Sequence, residues 1–287
     1  MNSAETGHSN IFHFNIPGSS GKPITGDLRL PDSQTPVPLL IFIHGFKGFK
    51  DWGHFNAIAE TICNNGIAVL KFNFSHNGTT PENLTDFADL EAFGNNTFTF
   101  ELNDLGAVID FCFEADWKNR IDGNNLFLLG HSRGGGAAIL KAGTDERIKK
   151  AVTWAGVSDY ESRVNPPDLE QWKTAGVVYQ RNARTGQDMP LYFTLHTDFY
   201  KNQSILDIAA ALKKNQKPLL LVHGTNDESV LPAEAEAMKK WYPAAQLELI
   251  EGANHTFGGS HPFSATELPA HTREAIEKTL KFLNKTV

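Results

Sequence analysis

Leu128-Leu129-Gly130-His131-Ser132-Arg133-Gly134-Gly135-Gly136 is the stretch whose reading decides the fold. An apolar strand runs into Gly-His-Ser-Arg-Gly, and a helix-forming segment at 135–142 follows. G-x-S-x-G in that position puts a serine on a tight strand-to-helix turn, with its hydroxyl pushed out of the chain path. The residues two before and two after must be small, because backbones pass close there. Gly in a helix costs about 1 kcal/mol relative to Ala, so three in a row at 134–136 need a reason, and close packing at the turn supplies one. The competing reading is a flexible Gly-rich loop, which the apolar strand in front does not favour.

Outward from this turn the chain alternates. Nearly continuous apolar runs at 37–43, 67–72, 126–129 and 219–222 read as strands buried on both faces. The run at 151–154 is a weaker strand, and 247–250 a last, outer one. Helical spacing marks 54–65, 100–114, 135–142, 205–214, 233–241 and 266–283. At the start, 11–16 and 24–30 alternate apolar and polar around Pro17-Gly18-Ser19-Ser20-Gly21, as an antiparallel edge pair with one wet face does. Strand–helix alternation predicts an α/β fold with a mostly parallel central sheet and helices on both faces. The segment 156–204 breaks the rhythm. It lacks a buried-strand signature and is rich in Pro, Asn and aromatic residues. A structureless loop of that length is foreign to a compact domain, so an insertion with its own structure is expected.

These features together resemble the α/β-hydrolase superfamily, and within it the cinnamoyl/feruloyl esterase-like group of serine hydrolases. Four blocks carry the resemblance: Ile41-Phe42-Ile43-His44-Gly45-Phe46-Lys47-Gly48; Lys71-Phe72-Asn73-Phe74-Ser75-His76-Asn77-Gly78, like an R-x-D-x-x-G strand exit with Lys and Asn in place of the usual charged residues; the Gly130–Gly134 turn; and Leu221 to Val230 with Glu251-Gly252-Ala253-Asn254-His255. The resemblance implies a single α/β-hydrolase domain over 1–287 with a cap at 157–204. The chain order Ser132, Asp227, His255 is that of the superfamily. A serine hydroxyl needs a base within hydrogen-bond reach, and the base needs an orienting acid. His255 is expected to be the base and Asp227 the acid. Asp198 and Asp207 are substitutes for the acid. Of the 11 His, His131 should point away from the serine, and His44 and His223 should support loops.

The resemblance assigns the oxyanion-hole N–H groups to Phe46 and Arg133. Phe49, Phe55, Phe98 and Phe100 lie in regions that could approach the site, with core packing the plainer reading of each. Trp154, Trp172 and Tyr179 are expected in a substrate pocket, alongside other cap aromatics such as Phe193, Phe199 and Tyr200. Lys47 and Lys50 are read as solvated surface charge. The implied reaction is hydrolysis of a carboxylic ester with a small or aromatic acyl group. The same apparatus serves thioesterases, peptidases and acyltransferases, and a non-catalytic ligand-binding relative is the alternative from another class.

Composition bounds the rest. A net charge of −7, from 26 basic and 33 acidic residues, disfavours nucleic acid or an anionic membrane as partner. The partner expected is a small-molecule ester, with no cofactor and no metal. G-x-x-x-x-G-K-[ST] is absent from the sequence. Two cysteines, Cys63 and Cys112, cannot build a disulfide framework. The opening MNSAETGHSN has neither a basic nor an apolar signal region, so a cytoplasmic location is expected and Asn-x-Ser/Thr triplets such as Asn83-Leu84-Thr85 read as chance matches. Oligomeric state is not legible.

Overall fold

The structure, a computed structural model, describes residues 10–285. The stretch 1–9, on which the secretion-signal reading rests, lies outside the described residues.

The chain opens with β1 (Asn10–Pro17) and β2 (Pro23–Leu30), paired antiparallel from Asn10↔Leu30 to Pro17↔Pro23. There follow β3 (Val37–Ile43), α1 (Phe55–Cys63), β4 (Ala68–Asn73), α2 (Leu90–Gly94), α3 (Phe98–Cys112), β5 (Ile121–His131), α4 (Arg133–Thr144) and β6 (Ile148–Trp154). Then come α5 (Leu169–Ala175), the strands β7 (Val177–Arg181) and β8 (Asp188–Tyr192), α6 (Thr194–Lys201), α7 (Gln203–Leu206) and α8 (Ile208–Lys214). The chain returns through β9 (Leu219–Gly224), α9 (Pro232–Trp241), β10 (Gln246–Ile250) and α10 (Ala270–Leu283).

Eight strands form one sheet in the order β1-β2-β4-β3-β5-β6-β9-β10. It is parallel from β4 to β10, and β1 and β2 form the antiparallel edge. The apolar runs are continuous because alternate residues serve opposite faces. Leu39, Ile41, Ile43, Leu128, Ala151 and Leu221 pack under α3, α4, α8 and α9. Leu40, Phe42, Leu129, Val152, Leu220 and Val222 pack under α1 and α10. A polar residue at any of these strand positions would be stranded without water.

Several boundaries differ from the periodicity reading. The helix expected over 205–214 is broken, because Asp207 leaves the helical region and its carboxylate caps α8 by accepting Ala210 N–H at 2.8 Å. The short α2 is held by the same device, Asp89 accepting Ala92 N–H at 2.9 Å. Its five residues are too few for a visible period. Helix α10 starts at Ala270, after Pro269, rather than at 266.

The segment 156–204 is folded. Helix α5 ends at Gly176 in the left-handed region (φ 75°), and β7 and β8 form a separate hairpin. Trp172 and Phe199 are buried. The segment rests on the elements before β5: Phe199 meets Phe98 edge-on at 6.4 Å, and the Tyr160 ring stacks on Phe98 at 4.0 Å. Among the described residues no helix is long and apolar enough to cross a membrane.

Candidate active site

The turn between β5 and α4 carries Ser132 at φ 56°, ψ −123°, a left-handed conformation that a residue with a Cβ rarely adopts. Its glycines are required by space. A Cβ at Gly130 would stand 2.1 Å from the Gly134 carbonyl oxygen, and one at Gly134 2.5 Å from the Ile43 carbonyl oxygen. Gly135 and Gly136 give the same closeness to Gly156 Cα and the Tyr160 hydroxyl, where added Cβ atoms would fall at 2.8 Å. The glycine run is therefore close packing, not a flexible loop.

Ser132 Oγ lies 3.0 Å from His255 Nε2. His255 Nδ1–H donates to Asp227 Oδ2 at 2.8 Å. The second carboxylate oxygen accepts Ser229 and Val230 N–H, each at 2.9 Å. Asp227 sits past the end of β9 and is 2% exposed. Burial alone would raise its carboxyl, but hydrogen bonds from His223, His255 and Val230 outweigh that and hold it well below the usual carboxylate range. A buried carboxylate thus faces the imidazole, fixing its tautomer with Nε2 as acceptor toward the serine.

Three other histidines brace this line. His131 Nε2–H donates to the His255 carbonyl at 2.9 Å, so its ring turns away from Ser132 and ties the serine turn to the histidine loop. Burial, reinforced by His255 nearby, lowers its pKa to about 3. His44 is buried beside Gly45, where desolvation lowers its pKa to about 4. His223 Nε2–H donates to the Val230 carbonyl at 2.8 Å, closing the turn that holds Asp227. Asp198 and Asp207 are elsewhere, bonded to Asn202 and to Ala210 N–H.

Phe46 and Arg133 flank the serine. Arg133 N–H opens α4, where helix geometry provides no acceptor, and neither it nor Phe46 N–H meets one among the described residues. A Cβ at Gly45 would stand 2.8 Å from Ser132 Cβ, so the strand-end turn runs against the serine. The Arg133 guanidinium lies 4.6 Å from the Phe46 ring centroid and 5.6 Å from that of Phe98, and pairs with the buried Glu101. The Tyr160 hydroxyl donates to the Arg133 carbonyl at 3.0 Å.

Residues 27–242 match the BD-FAE family over most of the chain. The chain belongs to the BD-FAE family. Its fold is that of α/β-hydrolase esterases: Est1E from Butyrivibrio proteoclasticus, in a structure with ferulic acid bound, superposes with a TM-score of 0.70 at 21% identity, covering 96% of this chain and 100% of that one. Among curated relatives, 2,6-dihydropseudooxynicotine hydrolase of Paenarthrobacter nicotinovorans is 23% identical over 80% of this chain, which spans only 55% of that protein's length. The putative esterase YitV of Bacillus subtilis is 23% identical over 74% of this chain and 76% of its own. The curated relatives so matched are a hydrolase and a putative esterase, and this BD-FAE member shares the fold of the α/β-hydrolase esterases.

Burial corrects two of the expected pocket residues, Trp154 and Trp172. Trp154 is 1% exposed and turned to the opposite layer, its indole N–H donating to Thr279 Oγ1 of α10 at 3.0 Å. Trp172 is 1% exposed in the interior of 156–204, its N–H donating to the Leu191 carbonyl at 2.8 Å. A small insertion needs a core of its own, and a Trp there must find an acceptor. Tyr179 is 63% exposed on β7. Phe49, Phe55 and Phe98 are core, Phe98 lying between Tyr160 and the Arg133 guanidinium, whereas the half-buried Phe46 ring faces Arg133. Lys50 is not surface charge: it is 3% exposed and paired with Asp27 and Asp51. Sequence reasoning did not find Glu101 and Tyr160, since an acid in a first helical turn and an aromatic in an insertion have commoner explanations.

Proposed function

We propose that this BD-FAE family member is a serine carboxylic ester hydrolase acting through an acyl-serine intermediate. The observation that carries the reading is the unbroken line from Ser132 Oγ to His255 Nε2 and from Nδ1 to the buried Asp227, at 3.0 and 2.8 Å. Neutral His255 takes the Ser132 proton as Oγ bonds to the ester carbonyl carbon. The carbonyl oxygen becomes an oxyanion, which accepts hydrogen bonds from Phe46 N–H and Arg133 N–H. The tetrahedral adduct collapses, the carbon–oxygen ester bond breaks, and His255 returns the proton to the departing alkoxide. Water then attacks the acyl-serine carbonyl, again giving its proton to His255, and the acid leaves as Ser132 regains its hydrogen. Asp227 orients the imidazole and stabilises its cation throughout.

The acyl group faces the half-buried Phe46 ring, against which the Arg133 guanidinium is seated. An aromatic wall of this kind suits an aromatic acyl group, and the ferulic acid of the Est1E structure supports that choice. In this reading residues 157–204 are a cap within a single domain, and it shapes the wall through Tyr160 rather than through Trp172 or Tyr179. The test is a panel of esters with alkyl and cinnamoyl-type acyl groups assayed with wild type and Phe46→Ala, which keeps the backbone N–H. A selective loss of tens-fold in kcat/KM for the aromatic esters, about 1–3 kcal/mol of discrimination, supports the reading. An equal loss for all acyl groups contradicts it.

A further inference from the structure

The loop leaving β3 carries Phe46 at its start and Lys50 and Asp51 at its end. It is fastened by a buried ring of alternating charge. Lys50 Nζ donates to Asp27 Oδ2 at 2.6 Å and also to Asp51. Lys71 Nζ donates to Asp51 Oδ1 at 2.6 Å and to Asn56 Oδ1 at 2.9 Å, and lies 3.3 Å from Asp27 Oδ1. The four residues thus close a ring, Lys50–Asp27–Lys71–Asp51, with charges that cancel. Asp27 and Lys71 face each other across β2 and β4, so the ring ties the loop to the sheet itself. Lys71 is wholly buried and Asp27 nearly so.

A second set of bonds reaches further along the same loop. Asn73 Oδ1 accepts the Lys50 backbone N–H at 2.6 Å. Asn77 Nδ2 donates to the Gly48 carbonyl at 3.3 Å, and Gly48 N–H closes a turn onto the Gly45 carbonyl at 3.1 Å. Between Phe46 and Lys50 the chain has only three residues, among them the anchored Gly48 and the fully buried Phe49. Burying two ion pairs is seldom a net gain in stability over apolar packing, so their use here calls for a reason other than stability. A ring that accepts one geometry only is suited to fixing a loop.

We infer that Asn73 and the Lys50–Asp27–Lys71–Asp51 ring are positioning residues for catalysis: they hold the 45–50 loop so that Phe46 N–H points at the developing oxyanion. This rests on the acyl-serine reading. None of the five touches substrate. Their work is to keep one amide within the narrow range over which it stabilises the transition state more than the bound ester. Lys71 and Asn73 are the two positions where the strand exit departs from R-x-D, and in this chain both turn toward the oxyanion loop.

The experiment uses the full chain and two substitutions, Asn73→Ala and Asp51→Asn. The first removes the acceptor of Lys50 N–H. The second keeps shape and sits at the most accessible corner of the ring. Each should lower kcat by about 10–100-fold with KM within about twofold, since a displaced oxyanion donor is missed only in the transition state. Affinity for a trifluoromethyl ketone analogue, which forms a tetrahedral adduct, should fall in parallel, while that for the matching unreactive methyl ketone holds. Asn73→Asp, which offers the same acceptor, should recover most of the lost kcat. Folded variants with kcat within twofold of wild type, or with equal losses for both ketones, overturn the inference, as does failure of both variants to fold. Wild type that fails to react with a fluorophosphonate would instead overturn the acyl-serine reading, so the two failures are distinct.

Discussion

Ser132 is held in a conformation that costs on the order of 1–3 kcal/mol, and close backbone packing and backbone hydrogen bonds to Trp154, Gly135 and Val157 fix it, so its hydroxyl is not what keeps it there. Removing Oγ therefore takes away chemistry and little packing. Ser132→Ala should unfold within about 1 kcal/mol of wild type in a urea titration, with kcat lower by about 10⁶. His255→Ala should lose as much, and the double variant no more, because the two act as one proton path. Multiplicative losses in single-turnover assays would break that path. Asp227→Asn should cost about 10⁴, as an amide at this place fixes the wrong imidazole tautomer. The residue scale is also where the sequence was most readable. A strand-to-turn serine, an acid after β9 and a histidine after β10 are placed by sterics and chain order. His131, Glu101 and Asn73 could not be assigned that way, because each acts through a partner 23 to 124 residues distant.

At the level of elements, buried strands announced themselves by unbroken apolar runs, and all the long helices by spacing. What stayed hidden were breaks made by single capping side chains, at Asp89 and Asp207, and the inside of 156–204. There the aromatic residues suggested a substrate surface, but Trp172 fills the segment's own interior, and Tyr160 and Phe199 pack on Phe98. Trp172 fills that core and bonds Leu191, so Trp172→Ala should act as a cavity mutation costing about 3–5 kcal/mol locally. Limited proteolysis should then cut first within 157–204, with the central sheet surviving. Protection equal to wild type there would mean that the segment does not depend on this indole.

On the scale of the whole molecule, the buried neutral histidines set the acid limit of stability. Burial lowers His44 and His54 to about 4, and His131, with help from His255, to about 3. The unfolded chain binds these protons near pH 6.5 and the native one does not. Each therefore contributes stability that is fully present above about pH 6.5 and is lost as pH falls toward about 4, with a slope of up to ~1.4 kcal/mol per pH unit per histidine. Denaturant midpoints should fall steeply from pH 6.5 to 4, and replacing His54 by Gln should flatten the slope. In the proposed mechanism the same assembled state makes one serine reactive. Intact-mass analysis after fluorophosphonate treatment, with peptide mapping, reads this directly on the native protein and on protein held in urea. A single adduct is expected on native protein, located at Ser132 and absent both in urea and in Ser132→Ala. No adduct on the native protein, an adduct at another residue, or undiminished labelling of Ser132→Ala would contradict it.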